Sequence, residues 1–256
     1  MKIGIVGCRG RVGQLLVKEL LSNQHQGLEL AGGTIAPTEP APKVSFPVFT
    51  DPTDLFRISD CIIDFTVPEA TRQHIQLAEE YGTPIIIGTT GLTPKDEALL
   101  HKAAKEIPVL LSANMSVGVN LLLALVERAA KSLDDSFDIE IVETHHKHKI
   151  DAPSGTALAI GKAAAKGRNV DLEDKAVYER YGETGARERG DIGFAVMRGG
   201  DVVGDHTAYF YAEGERIELT HKATDRSLFA KGALKAAKWL EDKDEGFYSM
   251  KDVLGL

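Results

Sequence analysis

Lys2-Ile3-Gly4-Ile5-Val6-Gly7-Cys8-Arg9-Gly10-Arg11-Val12-Gly13 opens the chain, and the reading of this stretch decides the fold. Residues 2–6 are a mostly apolar run of the length of a buried strand. Gly7, Gly10 and Gly13 follow at intervals of three, after which Val12, Leu15, Leu16 and Leu20 share one face of a helix. Strand, glycine turn and helix in this order suit a dinucleotide. Glycine lets the backbone approach a pyrophosphate, and the first N–H groups of the helix point towards it. The spacing is Gly-x-x-Gly-x-x-Gly, a variant, and a glycine turn can also serve tight packing. Its place on the first strand of an alternating pattern favours the nucleotide.

The alternation continues downstream. Strand-like runs recur at 28–34, 61–65, 84–88 and 109–112, with helical patterns at 69–81 and 94–105. Thr93, Pro94 and Asp96 supply a cap, a first helical proline and a capping-box acid for the second of these helices. Strands alternating with helices predict a doubly wound parallel sheet of Rossmann type. Ligands of such sheets bind beyond the carboxyl ends of the strands. The cofactor-binding candidates are therefore Gly7, Cys8, Arg9, Gly10, Arg11 and Val12 after the first strand and Thr34 after the second. Gly88, Thr89 and Thr90, then Ser112, Ala113, Asn114 and Met115, follow later strands.

After residue 116 the pattern changes. A long helix is expected over 117–133, a strand over 137–143, a helix over 154–166 and strands over 191–198, 207–212 and 216–223. Ala212-Glu213-Gly214-Glu215 reads as a hairpin turn. The charged, glycine-containing stretch 167–190 reads as a long, exposed, mobile loop. This is a second α+β unit with a mixed or antiparallel sheet. A last helix, 226–241, is of the kind that returns to a first domain. Two domains follow: 1–116 with 226–256, and 117–225.

Composition bounds the function. With 43% hydrophobic residues in 256, a sizeable core is available, and a formal net charge of −8 argues against a general nucleic-acid binder. Two cysteines, Cys8 and Cys61, in apolar contexts give no disulfide framework, and no signal-peptide pattern precedes the first strand; a reducing cytoplasm is expected. No apolar stretch is long enough to span a bilayer.

Chemistry concentrates in Glu143-Thr144-His145-His146-Lys147-His148-Lys149-Ile150-Asp151-Ala152-Pro153-Ser154-Gly155-Thr156. Three histidines and two lysines occupy five positions just before a helix start, with Ser154 a candidate cap. Proton-transfer groups and cations beside a helix N-terminus suit a small acidic substrate. The same run could be a solvated loop or a metal site. Adjacent His145 and His146 point to opposite faces of a strand, and the lysines repel a divalent cation, so no metal is expected.

Together these motifs resemble the 4-hydroxy-tetrahydrodipicolinate reductase (dihydrodipicolinate reductase) family. The resemblance rests on the 143–157 run, on Gly7-Cys8-Arg9-Gly10-Arg11-Val12-Gly13, on Gly88-Thr89-Thr90-Gly91 and on Asn114-Met115-Ser116-Val117-Gly118-Val119-Asn120, and it spans essentially the whole chain. It implies a homotetramer formed through the second domain, and hinges near Ser116 and Arg226 that let the domains close. It also implies hydride transfer from NADH or NADPH to a cyclic dicarboxylate with loss of water, on the diaminopimelate route to lysine. By the same resemblance, His145 and Lys149 are the proton donors. His146, Ser154, Gly155 and Thr156 bind substrate, Gly155 and Thr156 through backbone N–H groups and a hydroxyl. Lys147 and His148 read, apart from the resemblance, as solvated neighbours that raise the local potential without touching substrate.

The cofactor end departs from the usual pattern. The second strand continues Gly33-Thr34-Ile35-Ala36-Pro37, with no acid before Glu39, no adjacent cation for a 2′-phosphate, and Val67 where many relatives carry arginine. Two missing cationic contacts favour NADH. The competing readings are another two-domain NAD(P)-dependent oxidoreductase, for which neither cysteine is well placed, and a non-enzymatic nucleotide- or metal-binding protein.

Overall fold

A computed structural model describes residues 1–22, 24–40 and 42–256. In chain order the elements are β1 (Lys2–Val6), α1 (Arg11–Leu21), β2 (Glu29–Thr34), β3 (Val48–Phe49), α2 (Pro52–Phe56), β4 (Cys61–Asp64), α3 (Pro68–Tyr81), β5 (Ile85–Ile87), α4 (Pro94–Ala103) and β6 (Pro108–Leu111). There follow α5 (Val117–Ser132), β7 (Asp138–His145), α6 (Gly155–Arg168), α7 (Leu172–Lys175), β8 (Ala176–Val177), β9 (Ile192–Arg198), β10 (Gly204–Ala212) and β11 (Glu215–Ala223). The chain closes with α8 (Ser227–Leu240), β12 (Gly246–Tyr248) and α9 (Met250–Leu254).

The chain divides into two compact units, Met1–Val117 with Arg226–Leu256, and Gly118–Asp225. In the first, the described residues form a seven-stranded sheet in the order β12-β6-β5-β4-β1-β2-β3. Every pairing in it is parallel. The order reverses between β1 and β4, the place where a doubly wound sheet opens a crevice for a ligand. The central strands are apolar on both faces because helices cover both: Ile3, Ile5, Ile62, Ile63, Ile85, Ile86 and Ile87 are fully buried. The returning helix α8 buries Ala230, Ala233, Leu234, Ala236, Ala237 and Leu240 in the same core as β1 and α1. Thr93 and Asp96 close the expected capping box on α4.

The second unit is a five-stranded mixed sheet, β11-β10-β7-β9-β8. β7 runs parallel to β9 and antiparallel to β10, which pairs antiparallel with β11. Ile139, Ile141, Phe194, Ala208 and Phe210 pack against Leu122, Val126, Ala157, Ile160 and Ala164 of α5 and α6. Along β7 burial alternates strictly, as a sheet with one covered face requires.

The segment 167–190 differs from the expected mobile loop. It contains α7 and β8, and β8 pairs with β9. Its arginines bind β7 and the turn before it. Arg187 donates to Asp138 and Glu140, Arg180 grips both Glu140 oxygens at 2.8 Å, and Arg189 reaches Asp135. These partners lie 40 or more residues away in sequence, beyond any local pattern. β3, α2, β12 and α9 are further additions; each is too short to leave a periodic signal.

Candidate active site

The first unit builds its crevice from the glycine turn. Gly7 has φ +70°, a conformation glycine adopts without strain. Its N–H donates to the Thr34 hydroxyl at 3.0 Å, and the Cys8 N–H donates to the Thr34 carbonyl at 2.9 Å. Thr34, 6% exposed, thus joins the end of β2 to the turn. A Cβ on Gly13 would fall on the Gly7 carbonyl, and one on Gly7 would meet Thr66 at 2.8 Å, so the turn passes close against both α1 and the end of β4. α1 starts at Gly10 with no side-chain cap. Its outward N–H groups, with the exposed Arg9 and Arg11 alongside, fit the pyrophosphate of a dinucleotide.

The predicted cofactor residues separate by burial. Arg9, Gly10, Arg11, Thr90 and Ala113 are exposed, and Gly7, Val12, Gly88, Ser112 and Asn114 half-buried. Cys8, Thr89 and Met115 are buried and support the crevice wall. Burial pushes the Cys8 thiol up. Thr89 belongs to a polar knot at the ends of β4 and β5. The fully buried Asp64 accepts from the Thr66 N–H at 2.9 Å, the Thr66 hydroxyl at 2.6 Å and the Thr89 hydroxyl at 3.2 Å, and contacts His74 Nδ1 at 2.8 Å. Burial alone would push the Asp64 carboxyl up. The hydrogen bond and charge of His74, with the hydrogen bonds of Thr66 and Thr71, outweigh it and hold the carboxyl below its ordinary range. The sequence marks Asp64-Phe65-Thr66 as a loop lining the crevice, but not His74 or its pairing with Asp64, because that partnership spans a strand and the following helix. Arg9 lies 3.5 Å from Glu39, which a turn from Ala36 brings back to the glycine loop.

The second unit assembles the chemistry of the 143–156 run. β7 ends on His145, and the next residues turn: the His146 N–H donates to the Val202 carbonyl, and the Lys149 N–H to the His146 carbonyl. Glu143 and His145, two apart on a strand, face the same side. His145 Nδ1 is 2.5 Å from Glu143 Oε2. Arg198, at the end of β9, donates to both Glu143 oxygens at 2.8 and 2.9 Å, and the Ser154 N–H donates to Oε1 at 2.9 Å. Burial pushes the Glu143 carboxyl up, but Arg198, His145 and Ser154 together bring it below its ordinary range. Glu143 is 1% exposed and ionised. His145, His146 and Lys149 follow one another around this turn. The Lys149 ammonium contacts both Asp151 oxygens at 2.8 Å. Lys147 and His148 are exposed.

Ser154 caps α6, its hydroxyl accepting from the Ala157 N–H at 3.1 Å and lying 3.0 Å from His206 Nε2. With its own N–H on Glu143, Ser154 is buried and engaged inside the protein, whereas Gly155 is exposed with nothing within 4 Å of a Cβ placed there. The helix start opens onto space at Gly155, with Thr156 half-buried beside it. The rings of His206 and His145 meet edge-on at 5.0 Å. Burial, then the neighbouring His145, pushes His206 down to about 4. Glu143, Arg198 and His206 were not assigned roles from sequence. Glu143 could have been, by its i, i+2 relation to His145; Arg198 and His206 arrive through sheet register and have no local signal.

A chain that combines a parallel sheet in Rossmann order, a dinucleotide turn and an oriented histidine in a second unit is an NAD(P)-dependent oxidoreductase by class. Residues 1–115 match the family described as dihydrodipicolinate reductase, N-terminus, and residues 118–254 its C-terminus. The chain belongs to the dihydrodipicolinate reductase family. It is 51% identical over its whole length to 4-hydroxy-tetrahydrodipicolinate reductase of Zymomonas mobilis, covering 98% of that protein. It is 50% identical, again over its whole length and 98% of the relative, to the enzyme of the same name from Rhodopseudomonas palustris. Among solved structures, the dipicolinate-bound dihydrodipicolinate reductase of Paenisporosarcina sp. TG-14 superposes with a TM-score of 0.80 at 26% identity over 98% of each chain. A probable dehydrogenase from Thermotoga maritima shares the fold at 10% identity, with a TM-score of 0.66 over 99% of this chain and 92% of that one.

Proposed function

We propose that this protein reduces 4-hydroxy-tetrahydrodipicolinate, with loss of water, at the expense of NADH or NADPH in the diaminopimelate route to lysine. The observation that carries the reading is the buried, ionised Glu143 holding His145 by one ring nitrogen beside an open helix N-terminus. When bound, the nicotinamide supplies a hydride. The residues of this chain do the rest. Gly155 and Thr156 at the start of α6 take a substrate carboxylate on backbone N–H groups, and His146 contacts the ring. His145 gives the proton that reduction of an unsaturated ring requires. Lys149, held by Asp151, is the second proton donor. Ser154 contributes by holding Glu143 and the helix cap in place.

The first unit holds the cofactor through Gly7, Gly10 and Arg11, with Thr34 fixing the turn. NADH is favoured slightly. A 2′-phosphate would meet Glu39, and Arg9 already has that carboxylate as a partner. The reducing cytoplasm suits two free, buried cysteines. The assembly is a homotetramer through the sheet face opposite α5 and α6, where Tyr209 and Tyr211 stack at 5.3 Å and Met197, further along the sheet, is exposed.

The test is NADH oxidation by the whole chain, given enzymatically generated substrate, together with calorimetric Kd values for both cofactors. Turnover with NADH and a preference below about 100-fold, roughly 2.7 kcal/mol, are expected. Absence of turnover with either cofactor contradicts the reading.

A further inference from the structure

Arg198 occupies a position from which one guanidinium reaches three parts of the site. It lies opposite His145 in the β7–β9 register. Nη1 donates to Glu143 Oε2 and Nη2 to Oε1, and Nη2 also donates to the Asp151 carbonyl at 2.8 Å. Asp151 in turn holds Lys149 through its side chain. We propose that Arg198 is a positioning residue for proton transfer. By locking the Glu143 carboxylate and the backbone at Asp151, it fixes which ring nitrogen His145 presents and where Lys149 is held. The inference rests on His145 being the proton donor.

An ionised carboxylate only accepts, so the bond between His145 and Glu143 places a proton on Nδ1. Nε2 is then the nitrogen that takes up and delivers the working proton, the logic by which a buried carboxylate orients a catalytic imidazole. Glu143 is nearly inaccessible, and a buried carboxylate without a partner takes up a proton instead of staying charged. A protonated Glu143 can donate as well as accept, and the tautomer of His145 is no longer set. Arg198 is the full positive charge bonded to this carboxylate, in the bidentate geometry that suits guanidinium. The other groups facing His145 are His206 on β10, with His221 on β11 beyond it, and Lys149 and Asp151 on the loop. None of these offers a bond to Glu143.

The experiment uses the whole chain with Arg198→Met, Arg198→Lys, Glu143→Gln and, as reference, His145→Gln. Reductase kinetics are read beside 15N NMR of the histidine ring nitrogens. Arg198→Met is expected to lower kcat by about 100-fold with KM for NADH within about twofold of wild type, and to abolish the single Nδ1–H tautomer of His145. Arg198→Lys, which keeps the charge but cannot make all three bonds, is expected to recover part of kcat. Glu143→Gln is expected to move the alkaline limb of the kcat profile to lower pH, because the anion that stabilises the imidazolium is gone. A wild-type kcat, pH profile and tautomer in Arg198→Met, with His145→Gln inactive, overturns the proposal and leaves the function standing. An unaffected His145→Gln variant overturns the assignment of the acid itself. Should Arg198→Met melt below the assay temperature, Arg198→Lys decides: wild-type kcat and tautomer there overturn the proposal.

Discussion

His206 shows how a single residue ties stability to pH. Its imidazole is 4% exposed, Nε2 lies against Ser154, and Nδ1 has no partner among the described residues. Its affinity for a proton falls from the ordinary 6.5 to about 4. Between those values the unfolded chain binds the proton and the folded one does not, so stability rises with pH through this window and falls as pH drops through it. The lost stability approaches on the order of 3 kcal/mol at the acid end. We expect the urea midpoint of the second unit to fall between pH 6.5 and 4.5, and His206→Gln to flatten that fall. An unchanged slope in the variant contradicts the account. Glu143 acts in the same direction at lower pH: its carboxyl titrates below the ordinary range in the folded state, and the stability it contributes is lost as pH falls through that lowered value.

At the scale of elements, the glycine turn carries the cofactor reading. Gly13→Ala places a methyl on the Gly7 carbonyl and Cys8 backbone, atoms that cannot rotate away, so the turn must shift. NADH affinity is expected to weaken about tenfold or more, roughly 1.4 kcal/mol, by calorimetry, while the isolated second-unit signals of a two-dimensional NMR spectrum stay in place. An unchanged Kd would remove the turn from the site. The sequence showed this element, and the helix begun by Thr93, because turn and cap chemistry is local: glycine spacing, a cap and a proline lie within a few residues. It also exposed the 143–156 run. It did not show that Glu143 and Arg198 meet, since residues 55 apart come together only through the parallel register of β7 and β9. The same holds for the arginines of 180–189 and for Asp64 with His74. The unread elements, β3, α2, α7, β8, β12 and α9, span two to five residues each and are formed by pairing and packing with distant segments.

At the scale of the whole molecule, the first unit is discontinuous in sequence. α8 buries six core residues against β1 and α1, and β12 extends the sheet beside β6. Among the described residues of the second unit, α5 and α6 cover one sheet face; the stacked Tyr209 and Tyr211 and, further along, the exposed Met197 lie on the other. If this face joins protomers, Tyr211→Asp puts a charge into a desolvated contact, and sedimentation should show a smaller species than wild type at micromolar concentration. An unaltered tetramer would place the interface elsewhere.

The central claim is that His145, oriented by Glu143, protonates the substrate of a nicotinamide-dependent reduction. Its most direct test is kcat of His145→Gln with NADH and enzymatically generated 4-hydroxy-tetrahydrodipicolinate, at saturating concentrations of both. The account predicts a loss of about 100-fold or more with the Kd for NADH unchanged. A variant that turns over at the wild-type rate would contradict it.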